Sequence, residues 1–182
     1  EFRRVLFRSG VRLLLDMLVA VAPSPADRPS ELPPDPNGPL AAFVFKSLAD
    51  PYVGKLNFFR VYSGTFRSDA HEVYDAGKQK LERVGQLLCV RGKGQEPAAE
   101  VVAGDIGAVA KLADCSTGDT LTTRDHPITL RGIDFPAPVY SVALHARGKG
   151  DEDKLGTTLA RLVEEDPSLQ VHRDPDTARS EE

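Results

Sequence analysis

Glu100-Val101-Val102-Ala103-Gly104-Asp105-Ile106 and Thr117-Gly118-Asp119-Thr120-Leu121-Thr122 carry the same device twice. A glycine able to take positive φ precedes an aspartate that bonds nearby backbone, and a β-branched strand start follows. These are corners between short strands, and the texture continues outward from about Leu130 back to Leu40. Ala41, Phe43 and Phe45, then Leu56–Tyr62, Glu72–Tyr74, Arg83–Val90, Glu100–Val102, Ile106–Leu112 and Thr120–Thr122 read as strands. Asp69-Ala70, Ala76-Gly77, Gly92-Lys93-Gly94 and the two Gly-Asp pairs read as turns. Many short strands with glycine turns and no helix between them predict a small closed β-barrel over residues 40–134.

The flanks have different textures. The first residues, Glu1-Phe2-Arg3-Arg4 without a leading Met, make residues 1–9 read as a cloning or adaptor-like junction. Val11, Leu14, Leu15, Leu18 and Val19 keep the spacing of an amphipathic helix over residues 10–22. Half of the chain's 14 prolines then fall between Pro23 and Pro39, which predicts a semi-rigid linker over residues 23–39. Beyond Pro136 and Pro138, Val139–Ala146 reads as a strand and Gly150–Glu165 as a helix with Leu155, Leu159, Leu162 and Val163 on one face. Leu169–His172 begins another strand, so residues 135–182 read as β-α-β, half of an α+β sandwich. Two strands give that helix an incomplete face, so this unit is expected to open more readily than the barrel. The fold class is mainly β with an α+β part.

Composition narrows the chemistry. With 41% hydrophobic and 27% charged residues among 182, the chain is ordinary globular material. A net charge of −4 argues against sequence-blind nucleic-acid binding through excess cation. The apolar run Leu13–Val21 is interrupted by Asp16 and too short for a bilayer. Cys89 and Cys115 offer neither a disulfide framework nor a zinc set, which points to a reducing compartment. His71, His126, His145 and His172 have no nucleophile at a recognisable spacing, so no catalytic residue is assigned. Without a Gly-x-x-x-x-Gly-Lys-Ser/Thr loop, Gly92-Lys93-Gly94 and Gly148-Lys149-Gly150 read as turns. Charge does segregate. Between Ala76 and Gly94, Lys78, Lys80, Arg83, Arg91 and Lys93 oppose only Glu82, a balance of +4, whereas residues 151–182 carry −6. Such a run is either a solvated face or an edge that docks on an RNA backbone.

Several motifs, in order, carry a family resemblance. Asp50-Pro51-Tyr52-Val53-Gly54-Lys55-Leu56-Asn57-Phe58-Phe59-Arg60-Val61-Tyr62-Ser63-Gly64 resembles the opening of the second domain of translation elongation factor G. Glu82-Arg83-Val84-Gly85, Ala103-Gly104-Asp105-Ile106 and Thr117-Gly118-Asp119-Thr120-Leu121 follow in the family's order. Phe135-Pro136-Ala137-Pro138-Val139 is similar to the junction with the third domain, and Asp153-Lys154-Leu155-Gly156 through Glu164-Glu165-Asp166-Pro167 to that domain's first helix. Gly10–Asp27 looks like the last helix of the GTPase domain running into its linker. Asp75 stands where the family usually has Asn, Val109-Ala110-Lys111-Leu112 lacks a usual glycine, and with Cys115 these features look more like the elongation factor G-like paralogues.

The resemblance implies a translation-factor β-barrel followed by the first half of a ferredoxin-like domain, in a fragment of a translational GTPase. It implies a cytoplasmic ribosome-binding module acting in protein synthesis, with the small ribosomal subunit, its RNA and the parent's own G domain as partners and no membrane. GTP and magnesium would belong to the full-length parent, the fragment itself holding no cofactor or metal and hydrolysing nothing. Lys78, Lys80, Arg83, Arg91 and Lys93 are the first candidates for RNA contact, with Lys55, Arg60 and Arg67 behind them. Gly54, Gly64, Gly104, Asp105, Gly118 and Asp119 are structural turn residues. The alternative from another class is a stand-alone β-barrel interaction module unrelated to GTP.

Overall fold

A computed structural model describes residues 10–27, 32–50, 53–146, 148, 151–174 and 179–181; the junction reading of residues 1–9 lies outside them. Helix α1 (Val11–Val21) keeps every side chain exposed, Leu13 at 75% and Val19 at 87% among them. No helix among the described residues is long and apolar enough to cross a membrane. In the proline segment, Asp35-Pro36-Asn37-Gly38 is a turn, with the Gly38 N–H donating to the Asp35 carbonyl at 3.1 Å. The segment is tied down rather than free. Gly64 N–H donates to the same Asp35 carbonyl at 2.7 Å, and the Thr65 hydroxyl to Pro36 O at 3.0 Å.

Ten strands follow among the described residues: β1 (Ala41–Asp50), β2 (Gly54–Ser63), β3 (Thr65–Arg67), β4 (Glu72–Asp75), β5 (Lys80–Arg83), β6 (Leu87–Arg91), β7 (Gly94–Pro97), β8 (Glu100–Val102), β9 (Ile106–Ala110) and β10 (Thr120–Thr122). The long antiparallel pair β1–β2 runs from Asp50↔Gly54 to Ala41↔Ser63. Around it the order is β5-β4-β10-β1-β2-β9-β6-β7, with β3–β8 as a separate two-stranded ladder. This sheet curls. Val73 from β4 and Leu87 from β6, each one strand from an opposite edge, share one core with Val44, Phe59, Phe66, Val109 and Leu121. The Phe59 and Phe66 rings meet at 4.9 Å and tie the β3–β8 ladder into that core.

The ladders among the described residues run from β5 to β7 as one curled, mainly β sheet, with no ladder between those two strands. Several other expectations need correction. The strand expected over Arg83–Val90 is two strands, because Val84-Gly85-Gln86 turns away to cross β9. A Cβ on Gly85 would overlap the Ala110 carbonyl, and Ala110 N–H donates to Gln86 O at 3.0 Å. The strand expected to reach Leu112 ends at Ala110, since Lys111 takes a φ of 64°. Strands β3 and β7 were not foreseen. The first is three residues long, and the second is exposed along its whole length and shows no apolar alternation.

The C-terminal unit differs more. Of Val139–Ala146 only β11 (Ala143–Leu144) is strand, and Val139 and Tyr140 stand in solvent at 101% and 81% exposure. Helix α2 (Glu152–Glu165) follows, then β12 (His172–Asp174) and β13 (Arg179–Glu181). The sheet order β11-β13-β12 inserts a third strand where β-α-β was expected. On α2, Leu159 is buried and Leu155 and Val163 are half-buried, while Leu162 is 41% exposed. The helix has a partner the sequence did not show. Ala49 N–H of β1 donates to Glu165 Oε1 at 2.6 Å, and Lys55 Nζ lies 3.5 Å from Glu164. A cleft of about 460 Å³ runs along this contact, between Ser47–Asp50 and Arg161.

Candidate functional site

The eight cations expected to meet RNA divide by what already holds them. Lys78 Nζ reaches Asp119 Oδ2 at 2.6 Å, Ser116 Oγ at 2.9 Å and the Asp114 carbonyl. Burial weakens this ammonium, but the Asp119 contact outweighs that and holds its pKa above the usual lysine value. Lys80 pairs with Asp114 at 2.9 Å, Lys55 with Glu164, and Arg67 with Asp69 at 3.2 Å and Glu100 at 3.7 Å. The Arg60 guanidinium sits 5.1 Å from the Tyr62 ring centre, a cation–π distance. That leaves Arg83, Arg91 and Lys93, all exposed and without an ion pair among the described residues. Arg83 ends β5, Arg91 ends β6, and Lys93 is the tip of the β6–β7 hairpin. The local excess of +4 read from the sequence is thus reduced by acids that arrive from residues 114 and 119.

Among the turn residues, Gly54, Gly64, Gly104 and Gly118 all take positive φ, from 75° to 101°. Gly64 is the most constrained, since a Cβ would come within 2.7 Å of the Leu40 backbone. The two Gly-Asp corners differ. Asp119 Oδ2 accepts the Ser116 N–H at 2.6 Å, as the motif predicts, whereas the Asp105 turn is closed by backbone, with its N–H on Val102 O at 3.0 Å.

Sequence reasoning missed a buried polar corner behind Asp119. Asp75, Cys115 and Asp119 each place one potential ligand atom within 4.8 Å of the others. Asp75 and Cys115 are fully buried. Asp75 Oδ1 accepts Gly77 N–H at 2.9 Å and Lys78 N–H at 3.1 Å, while its Oδ2 is buried with no hydrogen-bond partner. Burial first, then the nearby Asp119 charge, holds the Asp75 carboxyl above the usual range, and burial likewise pushes the Cys115 thiol up. An orphaned buried carboxylate oxygen costs about 1–3 kcal/mol. Asp75→Asn keeps the Oδ1 acceptor and turns the orphan into an N–H donor facing Asp119. It is expected to raise stability by about 1–2 kcal/mol, seen as a higher urea midpoint at unchanged m-value. An unchanged or lower midpoint would count against this reading of the corner.

Glu82 builds the neighbouring joint. Its carboxylate is buried and accepts Ala113 N–H on Oε2 and Asp114 N–H on Oε1, both at 2.8 Å. The sequence has no phosphate loop, and Gly92-Lys93-Gly94 caps an exposed hairpin rather than a helix N-terminus.

Comparison with known proteins agrees with this architecture. The family model described as elongation factor G domain 2 matches residues 39–124, and that described as elongation factor G domain III matches residues 135–180. A crystal structure of a Thermus thermophilus protein matches at 31% identity with a TM-score of 0.76, over 95% of this chain and 25% of that one. The chain spans about a quarter of the length of that relative. Both the curled sheet and the unit around α2 are therefore accounted for by one family, and the chain belongs to the elongation factor G family as a module carrying domain 2 and domain III.

Proposed function

We propose that this chain is the ribosome-binding module of an elongation factor G-type translational GTPase, working in protein synthesis when joined to its GTP-binding domain. The observation that supports it is the order of the two units, domain 2 then domain III, docked on each other through α2 and β1. In this reading the module meets the small subunit and its RNA in the cytoplasm. GTP and magnesium sit on the GTP-binding domain, whose face covers the exposed helix α1. Asp75, Val109-Ala110-Lys111-Leu112 and Cys115 support a parent among the elongation factor G-like paralogues. The curled sheet acts as a closed barrel, with the Phe66-bearing ladder packed on its core.

The RNA contact is assigned to Arg83, Arg91 and Lys93, the cations of the basic stretch that no acid neutralises. Lys55, Arg60, Arg67, Lys78 and Lys80 serve internal contacts first. This makes the salt dependence a quantitative test. Three phosphate contacts give a slope of log K against log salt of about −2 to −3, and five would give about −3.5 to −4.5. Anisotropy titration of small-subunit RNA at several salt concentrations is expected to yield the smaller slope, and joint reversal of Arg83, Arg91 and Lys93 to glutamate should flatten it. Binding indifferent to salt and to that reversal would remove the assignment.

A further inference from the structure

We propose that Asp75, Cys115 and Asp119 form a site for a thiophilic divalent cation of the zinc or cadmium class. Asp75 closes β4 while Cys115 and Asp119 share the loop between β9 and β10, and the three bring their ligand atoms within 4.8 Å of one another. A second observation is independent of that clustering: Asp75 Oδ2 is buried and has no hydrogen-bond partner. A buried carboxylate oxygen in that condition calls for a donor or a cation.

Lys78 supplies the positive charge at Asp119, yet it leaves Asp75 Oδ2 unmet. It also holds Ser116 Oγ and the Asp114 carbonyl, so it keeps those two partners when Asp119 passes to a metal. One thiolate with two carboxylates suits Zn²⁺ or Cd²⁺, since Mg²⁺ and Ca²⁺ take all-oxygen sets. Three protein ligands leave the fourth tetrahedral position for water. As the Sγ–metal bond forms, the thiol proton leaves to solvent, and the dication's charge is met by the thiolate and the two carboxylates.

The test uses the whole chain, treated with a chelator and titrated with Co²⁺ as a spectroscopic probe, followed by competition with Zn²⁺. One equivalent is expected to raise a near-ultraviolet thiolate-to-cobalt band that Zn²⁺ abolishes. The band should persist in Cys89→Ser and vanish in Cys115→Ser, with circular dichroism showing both variants folded. Asp75→Asn, which retains the thiol, should weaken the affinity by about tenfold or more, and it decides the matter where Cys115→Ser does not fold. The absence of a saturable band, its survival in Cys115→Ser, or wild-type affinity in Asp75→Asn would overturn the proposal.

Discussion

Replacing Glu82 with alanine is expected to cost about 3–6 kcal/mol, the sum of two charge-assisted hydrogen bonds at about 1.5–3 each. Both bonds are 2.8 Å long, and the side chain is only 5% exposed, so water cannot replace the lost oxygens at Ala113 and Asp114. A domain of this size has about 5–15 kcal/mol in all, so Glu82→Ala should leave the β domain close to unfolding at room temperature. Glu82→Gln keeps one carbonyl acceptor and should recover about half of the loss. Urea denaturation of the three proteins measures this directly. A loss below about 1 kcal/mol in Glu82→Ala would mean that the 113–114 backbone finds other acceptors. The Glu-Arg-Val-Gly stretch, which the family resemblance brought forward beside a candidate RNA cation, is on this account first a joint between β5 and the loop after β9.

Phe66→Ala is the second large effect, about 3–5 kcal/mol for a fully buried ring. Phe66 has no exposure, and its ring lies 4.9 Å from that of Phe59, itself without exposure. The loss should be local before it is global. The three register pairs of β3–β8 form their own two-stranded ladder, and Phe66 and Val101 are the side chains it places in the core. Hydrogen exchange at β3 and β8 should accelerate more than at β2 and β9 in this variant. A double-mutant cycle with Phe59→Ala should show coupling of about 0.5–1.5 kcal/mol. Uniform acceleration across all four strands would show that the ladder is integral to the main sheet.

What could be read from the sequence was what is local. The strands Glu100–Val102 and Thr120–Thr122 coincide with the reading because each is bounded by a Gly-Asp turn, and such a turn is determined by its own residues. The break at Val84-Gly85-Gln86 was not legible, because its cause is a close pass over Ala110, a residue distant in sequence. The same limit governs the candidate surface. Five cations within Lys78–Lys93 look like a basic edge until Asp114 and Asp119 fold across to Lys80 and Lys78. The Asp75–Cys115–Asp119 corner was invisible for that reason too, since Asp75 is distant in sequence from the loop that carries Cys115 and Asp119. In the C-terminal unit, a helix with one apolar face was apparent, but its dock on Ala49 and Lys55 depends on the other domain.

Sedimentation with separated ribosomal subunits tests whether the exposed cations carry the proposed ribosome binding. The chain is expected to pellet with small subunits at low ionic strength, far less with large subunits, and to be released as salt rises. The Arg83, Arg91 and Lys93 reversal should stay in the supernatant while melting like the wild type. Absence of pelleting at low salt, or equal pelleting of the wild type and the reversed variant with both subunits, would contradict the account.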